Sequence, residues 1–122
     1  MSAFEARPEV LDLTAAAAIE GSGAILSRES DDLDLNLVRF GAGGGVAAHV
    51  NHEVDVLVVA LDGSGEITVN GESCSLSPGK ALVIPKGTER VIRNMGEEAF
   101  VYLSIHRRRR GLMPSPRSAH RT

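Results

Sequence analysis

The dipeptide Asn70-Gly71 stands between Glu66-Ile67-Thr68-Val69 and a run ending at Leu76, and it constrains the fold more than any other feature of the chain. Asparagine and glycine both accept the positive φ of a type I′ turn, whose twist matches that of two antiparallel strands, so a two-residue hairpin is expected here. Similar punctuation recurs. Asp62-Gly63-Ser64-Gly65, Ser77-Pro78-Gly79, Gly87 and Gly96 separate short runs that are either apolar or alternating: LDLNLVRF from Leu33, Val56 to Leu61, Ala81 to Ile84, Val91-Ile92 and Ala99 to His106. Leu33, Leu35 and Leu37 fall on one face of a half-buried strand, with Asp32 and Asp34 read as a solvated rim. Eight or more short strands and no long helical pattern predict an all-β sandwich or barrel.

Before Leu33 the signals are weaker. Val10, Leu11 and Leu13 suggest a short edge strand ending at Thr14, whose hydroxyl would cap the AAAAIE turn that follows. Gly21 and Gly23 break the chain ahead of a strand from Ala24 to Ser27. Gly41, Gly43, Gly44 and Gly45 read as a turn, because a phosphate-cradling loop would need a helix after it and no helical pattern follows.

A chain of 122 residues suits one domain with one core. With 43% hydrophobic residues and no Trp, that core must be built mainly from Val, Leu, Ile and Ala. The only aromatic residues are Phe4, Phe40, Phe100 and Tyr102, too few to suggest base stacking. Cys74 is the single cysteine and so has no internal disulfide partner; no stretch at the start has the order of a signal peptide, and a cytoplasmic location is expected. The longest apolar run, Val56 to Leu61, is far short of the ~20 residues that span a bilayer, so no membrane partner is expected. The net charge of −3 and the scarcity of aromatics argue against nucleic acid despite Arg107 to Arg110. Those arginines are expected to end the last strand and pair with acidic strand ends or a neighbouring subunit, and residues 111–122 read as a flexible tail. His52 and His120 are expected to be exposed, and Cys74 to be a strand residue.

Residues 41–65 and 79–94 resemble the two motifs of the cupin family. In consensus the first runs glycine, five residues, His-x-His, three or four residues, Glu, six residues, glycine. Gly43, His49 and Gly63 fit it, and Asn51 stands at the second histidine. The glutamate position is Asp55 when counted forward from Asn51 and Val56 when counted back from Gly63. The second motif runs glycine, five residues, Pro-x-Gly, two residues, His, three residues, Asn. Gly79, Pro85, Gly87 and Asn94 match it, and Arg90 stands at the histidine. The resemblance covers roughly residues 33–106. It implies an all-β double-stranded β-helix, the jelly-roll cupin barrel, as a single domain over residues 1–110, and a homodimer.

In metal-binding cupins these positions converge on one ion. Here they offer His49, Asn51, Asp55 or Val56, and Arg90. Imidazole and carboxylate suit divalent transition metals, a carboxamide is a weak ligand, and a guanidinium is permanently cationic. The resemblance therefore implies that the usual site is lost and that no cofactor is bound. The alternative is a divalent metal held by a rearranged set of His49, His52, Asp55 and His106. An unbroken strand would place His49, Asn51, Glu53 and Asp55 on one face, with His52 opposite unless a bulge intervenes.

Two roles for Arg90 follow. Facing Asp55, it would form a buried ion pair in the space the metal vacates. Left free, its planar fork would receive an anionic ligand. The expected ligand-binding residues are His49, Asn51, Asp55, Arg90, Tyr102 and His106, with Glu53 and Asp55 the candidates for acid–base work. The expected function is binding of a small polar or anionic organic molecule. A metal-dependent isomerase, decarboxylase or dioxygenase is one alternative, and a non-catalytic interaction or regulatory module another, because one barrel hosts many chemistries.

Overall fold

The computed structural model describes residues 7–108. One short helix, α1 (Leu13–Ala17), precedes nine strands: β1 (Gly23–Glu29), β2 (Leu33–Phe40), β3 (Gly45–Val50), β4 (Val56–Asp62), β5 (Gly65–Val69), β6 (Glu72–Leu76), β7 (Ala81–Ile84), β8 (Glu89–Arg93) and β9 (Phe100–Arg107). They form two antiparallel sheets, ordered β1-β2-β9-β4-β7 and β3-β8-β5-β6. This is the all-β jelly roll that the strand rhythm and the resemblance led one to expect. No helix among the described residues is long and apolar enough to cross a membrane. The expectations for His120, Arg109, Arg110 and the 111–122 tail fall outside the described residues.

The hairpin that anchors the sequence reading forms as its chemistry requires. Asn70 and Gly71 take φ of 48° and 83°, and β5 pairs β6 from Gly65↔Leu76 to Val69↔Glu72. Gly45 is needed for a different reason. A Cβ there would run into the carbonyl of Ile92 on the paired strand β8, so β3 can lie against β8 only with glycine at this point.

Two apolar clusters sandwich the five-stranded sheet. The inner one fills the space between the sheets with Val38, Phe40, Val54, Val56, Val58, Ala60, Ile67, Leu76, Ile84, Ile92, Phe100 and Tyr102. The outer one packs Ala16 of α1 against Leu37, Val101 and Leu103, with Leu35, Val59 and Leu61 beside them. This explains why Val56 to Leu61 is continuously apolar. Val56, Val58 and Ala60 point inward while Val59 and Leu61 face the outer layer, and a strand covered on both faces does not alternate.

The same layering corrects the reading of β2. Leu35 and Leu37 belong to the outer cluster, and the inward face is Asp34, Asn36, Val38 and Phe40. Asp34, expected at a solvated rim, is 1% exposed, while Asp32 is exposed as expected. The N-terminal segment also differs. No strand forms over Val10 to Leu13, and the helix is capped by Asp12, whose carboxylate accepts the Ala15 amide at 3.1 Å, rather than by Thr14. An earlier cap brings Leu13 into the helix, where it packs on the outer cluster.

Candidate functional site

Polar side chains gather on the inner face of the barrel, and the strand register locates them. Arg90 shares its side of β8 with Ile92 of the inner core, and its side chain has no exposed surface. Directly opposite Arg90 in the ladder stands His49 of β3. Across the barrel, β9 continues inward from Phe100 and Tyr102 to Ser104 and His106, all buried. Ser104 pairs with Asn36 and Val58, and His106 with Asp34 and Val56. The interior thus has two ends. One is apolar and aromatic, with Tyr102 between Phe40 and Phe100 at centroid distances of 6.3 and 5.2 Å. The other is lined by Asp34, Asn36, Ser104 and His106 from one sheet and by His49 and Arg90 from the other.

The approach of His49 depends on an irregularity. Between Val46 and His49 the ladder to β8 slips by one residue, since Val46 pairs Ile92 and His49 pairs Arg90. That bulge resets the parity, so Val46, packed on the inner core, and His49 both lie on the inner side. The His49 Nδ1 lies 3.0 Å from the carbonyl oxygen of Ala47, and its Nε2 is buried without a hydrogen-bond partner.

Past Val50 the strand stops, and this decides the fate of every residue from Asn51 to Asp55. The Asn51 Oδ1 accepts the backbone amides of Glu53 at 2.9 Å and Val54 at 3.3 Å, a local turn that replaces ladder pairing. The shared face expected for His49, Asn51, Glu53 and Asp55 is therefore broken. Asn51 is buried, with its Nδ2 lacking a partner, whereas His52, Glu53 and Asp55 are exposed. Asp55 accepts the backbone amide of Lys86 at 2.9 Å, while the Asn51 carbonyl accepts that of Gly87 at 2.7 Å. Asp55 thus fastens the first-motif loop to the Pro85-Lys86-Gly87 turn and does not face Arg90, so the expected Asp55–Arg90 pair is not formed. Of the two residues that the motif count offers for the glutamate, Val56 is the inward one, fully buried beside His106 and Ile84.

The buried carboxylate among the described residues is Asp34, expected at a solvated rim; Asn36 and Ser104, buried beside it, were not among the expected site residues. A signal was present: Asp34 and Asn36 share parity with Val38 and Phe40, the apolar residues at the other end of the same strand. Asn36 also reaches the edge strand, its Oδ1 accepting the Ser27 hydroxyl at 2.6 Å. On His106, Nδ1 lies 2.9 Å from the Arg107 carbonyl. Arg107 is exposed and donates to the Glu53 carbonyl at 3.2 Å, and Arg108 lies 3.8 Å from the Glu29 carboxylate, so these two arginines close the last strand against its neighbours.

The donor set does not fit the metal centre of metal-binding cupins. Its four positions hold an imidazole, a carboxamide, an isopropyl group and a guanidinium, and only the first is a good ligand. The rearranged set fails on placement, since His52 and Asp55 are exposed while His106 is buried. Among the described residues no three His, Cys, Asp or Glu side chains are grouped to hold an ion.

Asn94 explains the second motif's asparagine. It is 1% exposed; its Nδ2 donates to the carbonyls of Phe40 at 3.0 Å and Glu98 at 2.8 Å, and its Oδ1 accepts the Gly96 amide at 3.0 Å. Its backbone exchanges bonds with Gly43 and Gly44. The glycine turn that opens the first motif and the residue that closes the second are one joint.

Comparison with known proteins agrees with this architecture. No curated protein sequence matches the chain. Among solved structures, a Bacillus halodurans protein superposes with a TM-score of 0.76 at 17% identity, covering 89% of this chain and 87% of that one. The Cnp3 cupin domain of Schizosaccharomyces pombe gives 0.62 at 23% identity over 67% of this chain, which spans only 61% of that domain. A candidate sugar phosphate isomerase from Acidithiobacillus ferrooxidans gives 0.58 at 25% identity, covering 63% of this chain and 51% of that one. The cupin domain family model matches residues 36–106, more than half of the sequence. With both motifs joined through Asn94 and both sheets in jelly-roll order, the chain belongs to the cupin family.

Proposed function

We propose that the barrel binds a small polar organic anion, without the metal ion that the family's four-ligand site holds. The observation that carries this reading is the set of buried polar atoms at one end of the interior. The Nε2 of His49, the Nδ2 of Asn51 and the Oγ of Ser104 are all buried and have no hydrogen-bond partner. Buried polar atoms are nearly always satisfied, and leaving one unmet costs ~1–3 kcal/mol, so these three are met by ordered water or by the polar groups of a ligand that displaces it. Arg90 supplies the preference for an anion. Its five N–H donors lie in one plane, so the fork serves an interior partner and a ligand carboxylate or phosphate at once. The likeness to a candidate sugar phosphate isomerase supports a ligand of this kind.

The test is a thermal-shift and calorimetric screen of the full chain against small carboxylates and phosphates, with Arg90→Met as the control of similar volume. A binding anion at 100 times its Kd stabilises by ~2.7 kcal/mol, which raises Tm by several degrees. The shift is expected with the wild type and lost in the variant. A screen in which no anion raises Tm, or a shift that survives Arg90→Met, rejects the proposal.

A further inference from the structure

We infer that the ligand carries a hydroxyl group beside its anionic group, read by His49 and Asn51 as a fixed acceptor and donor, so that the class bound is a hydroxy acid or a polyol phosphate. This deepens the anion-binding proposal and rests on it. The inference comes from the hydrogen-bond polarity of two side chains whose other ends are already committed.

The His49 Nδ1 lies 3.0 Å from the Ala47 carbonyl oxygen. A carbonyl oxygen only accepts, so Nδ1 carries the hydrogen, and in the neutral ring the lone pair is left on Nε2. That atom is the buried one without a partner. Asn51 is fixed in the opposite sense. Its Oδ1 is occupied by the Glu53 and Val54 amides, which sets the orientation of the carboxamide and leaves the two hydrogens of Nδ2 as the buried, unmet end. The first residue presents an acceptor and the second presents donors.

A carboxylate or a phosphodianion has only acceptors. It can take hydrogens from Asn51 but has none to give His49, so a simple anion leaves Nε2 unmet at the cost already stated. A hydroxyl does both, donating to Nε2 and accepting from Nδ2. The two residues lie two positions apart at the end of β3, and two neighbouring hydroxyls on a short carbon chain can meet both, one donating to Nε2 and the other accepting from Nδ2. From the facing sheet the Ser104 Oγ, buried and also without a partner, both donates and accepts. Arg90, opposite His49 in the ladder, places the anionic end beside this pair.

The experiment is calorimetric titration of the full chain with matched probes, glycerate against propionate and glycerol phosphate against propyl phosphate. The hydroxylated member of each pair is expected to bind about tenfold tighter or better, as for a site that leaves polar atoms unpaired when the hydroxyl is missing. Asn51→Asp keeps an oxygen to accept the Glu53 and Val54 amides but replaces the two donors by an acceptor, and His49→Leu removes the acceptor. In His49→Leu the preference ratio is expected to fall to within about twofold of unity, and in Asn51→Asp to fall severalfold while His49 still accepts the hydroxyl's hydrogen. Should Asn51→Asp fail to fold by circular dichroism, the His49→Leu ratio decides. Equal affinities within each pair for the wild type overturn this inference and leave the anion reading standing, as does a preference that survives the variants. Binding of glycerol as tight as that of glycerate overturns the anion reading and keeps the hydroxyl. Binding of none of the probes overturns both.

Discussion

Asp34 on β2 lies directly across the ladder from His106 on β9, and both side chains are buried inside the barrel. The other neighbour of His106 is Val56 on β4, the inward one of the two residues that the motif count offers for the carboxylate of metal-binding cupins. The interior carboxylate of this protein therefore arises two strands away from the motif position, in the strand that precedes the first motif. With Arg90 it gives the buried interior one formal negative and one formal positive charge.

Neutralising Asp34 is expected to separate stability from binding. Asp34→Asn keeps the volume but leaves the Arg90 charge buried without a compensating carboxylate, a loss of about 3 kcal/mol seen as a fall in Tm of roughly 10 °C. Removal of a like charge from the interior should at the same time tighten binding of a test anion, by roughly three- to tenfold. Weaker binding in a folded Asp34→Asn protein would show that the carboxylate contacts the ligand directly.

Asn94→Ala should be among the more damaging single changes at a position remote from the polar end. It removes three side-chain hydrogen bonds, one of them buried and to the Phe40 carbonyl, at a cost of about 3 kcal/mol. Asn94→Asp should fare no better, because its carboxylate would face two carbonyl oxygens. Denaturant midpoints of the two variants check this, with a change of less than about 0.5 kcal/mol counting against the joint between the motifs.

Asp55→Ala tests the assignment of that residue to the rim. Loss of its bond to the Lys86 amide is expected to cost about 1 kcal/mol. Anion affinity should stay within about twofold of wild type, since the carboxylate is exposed and lies outside the barrel interior. A tenfold or larger change in affinity would place Asp55 in the binding site after all.

Restoring ligands should restore a metal centre. The triple variant Asn51→His, Val56→Glu, Arg90→His, added to the native His49, presents three imidazoles and a carboxylate at the four motif positions, a set that suits divalent transition metals. Titration with Zn²⁺ or Mn²⁺ should show one site per chain. Val56→Glu alone should show none and should melt lower, because a carboxylate is then buried where an isopropyl group packed. Failure of the triple variant, if folded, to bind either ion would mean that the backbone at these positions no longer converges.

Much of the fold was legible in the residues themselves. Asn70-Gly71 fixes its hairpin because few residue pairs accept two successive positive φ values, and Gly79, Pro85, Gly87 and Asn94 carry the second motif by identity and spacing. These are local constraints, set by what one or two residues can adopt. Asn51 and Arg90 likewise mark the departure from the metal-binding pattern by their chemistry alone.

Which side chains enter the barrel was decided by the tertiary structure. Strand parity predicts facing only while the ladder is regular, and here it slips at the bulge before His49 and ends where Asn51 turns back on Glu53 and Val54. Counted from His49, the turn at Asn51 puts Val56 inside and Asp55 outside. Asp34 was hidden for a second reason. Helix α1 covers the outer face of β2, so the leucine periodicity that marks a buried face marks the outer layer, and the polar residues between those leucines line the interior. A sequence pattern records that a face is buried, whereas what buries it depends on elements brought there by the fold.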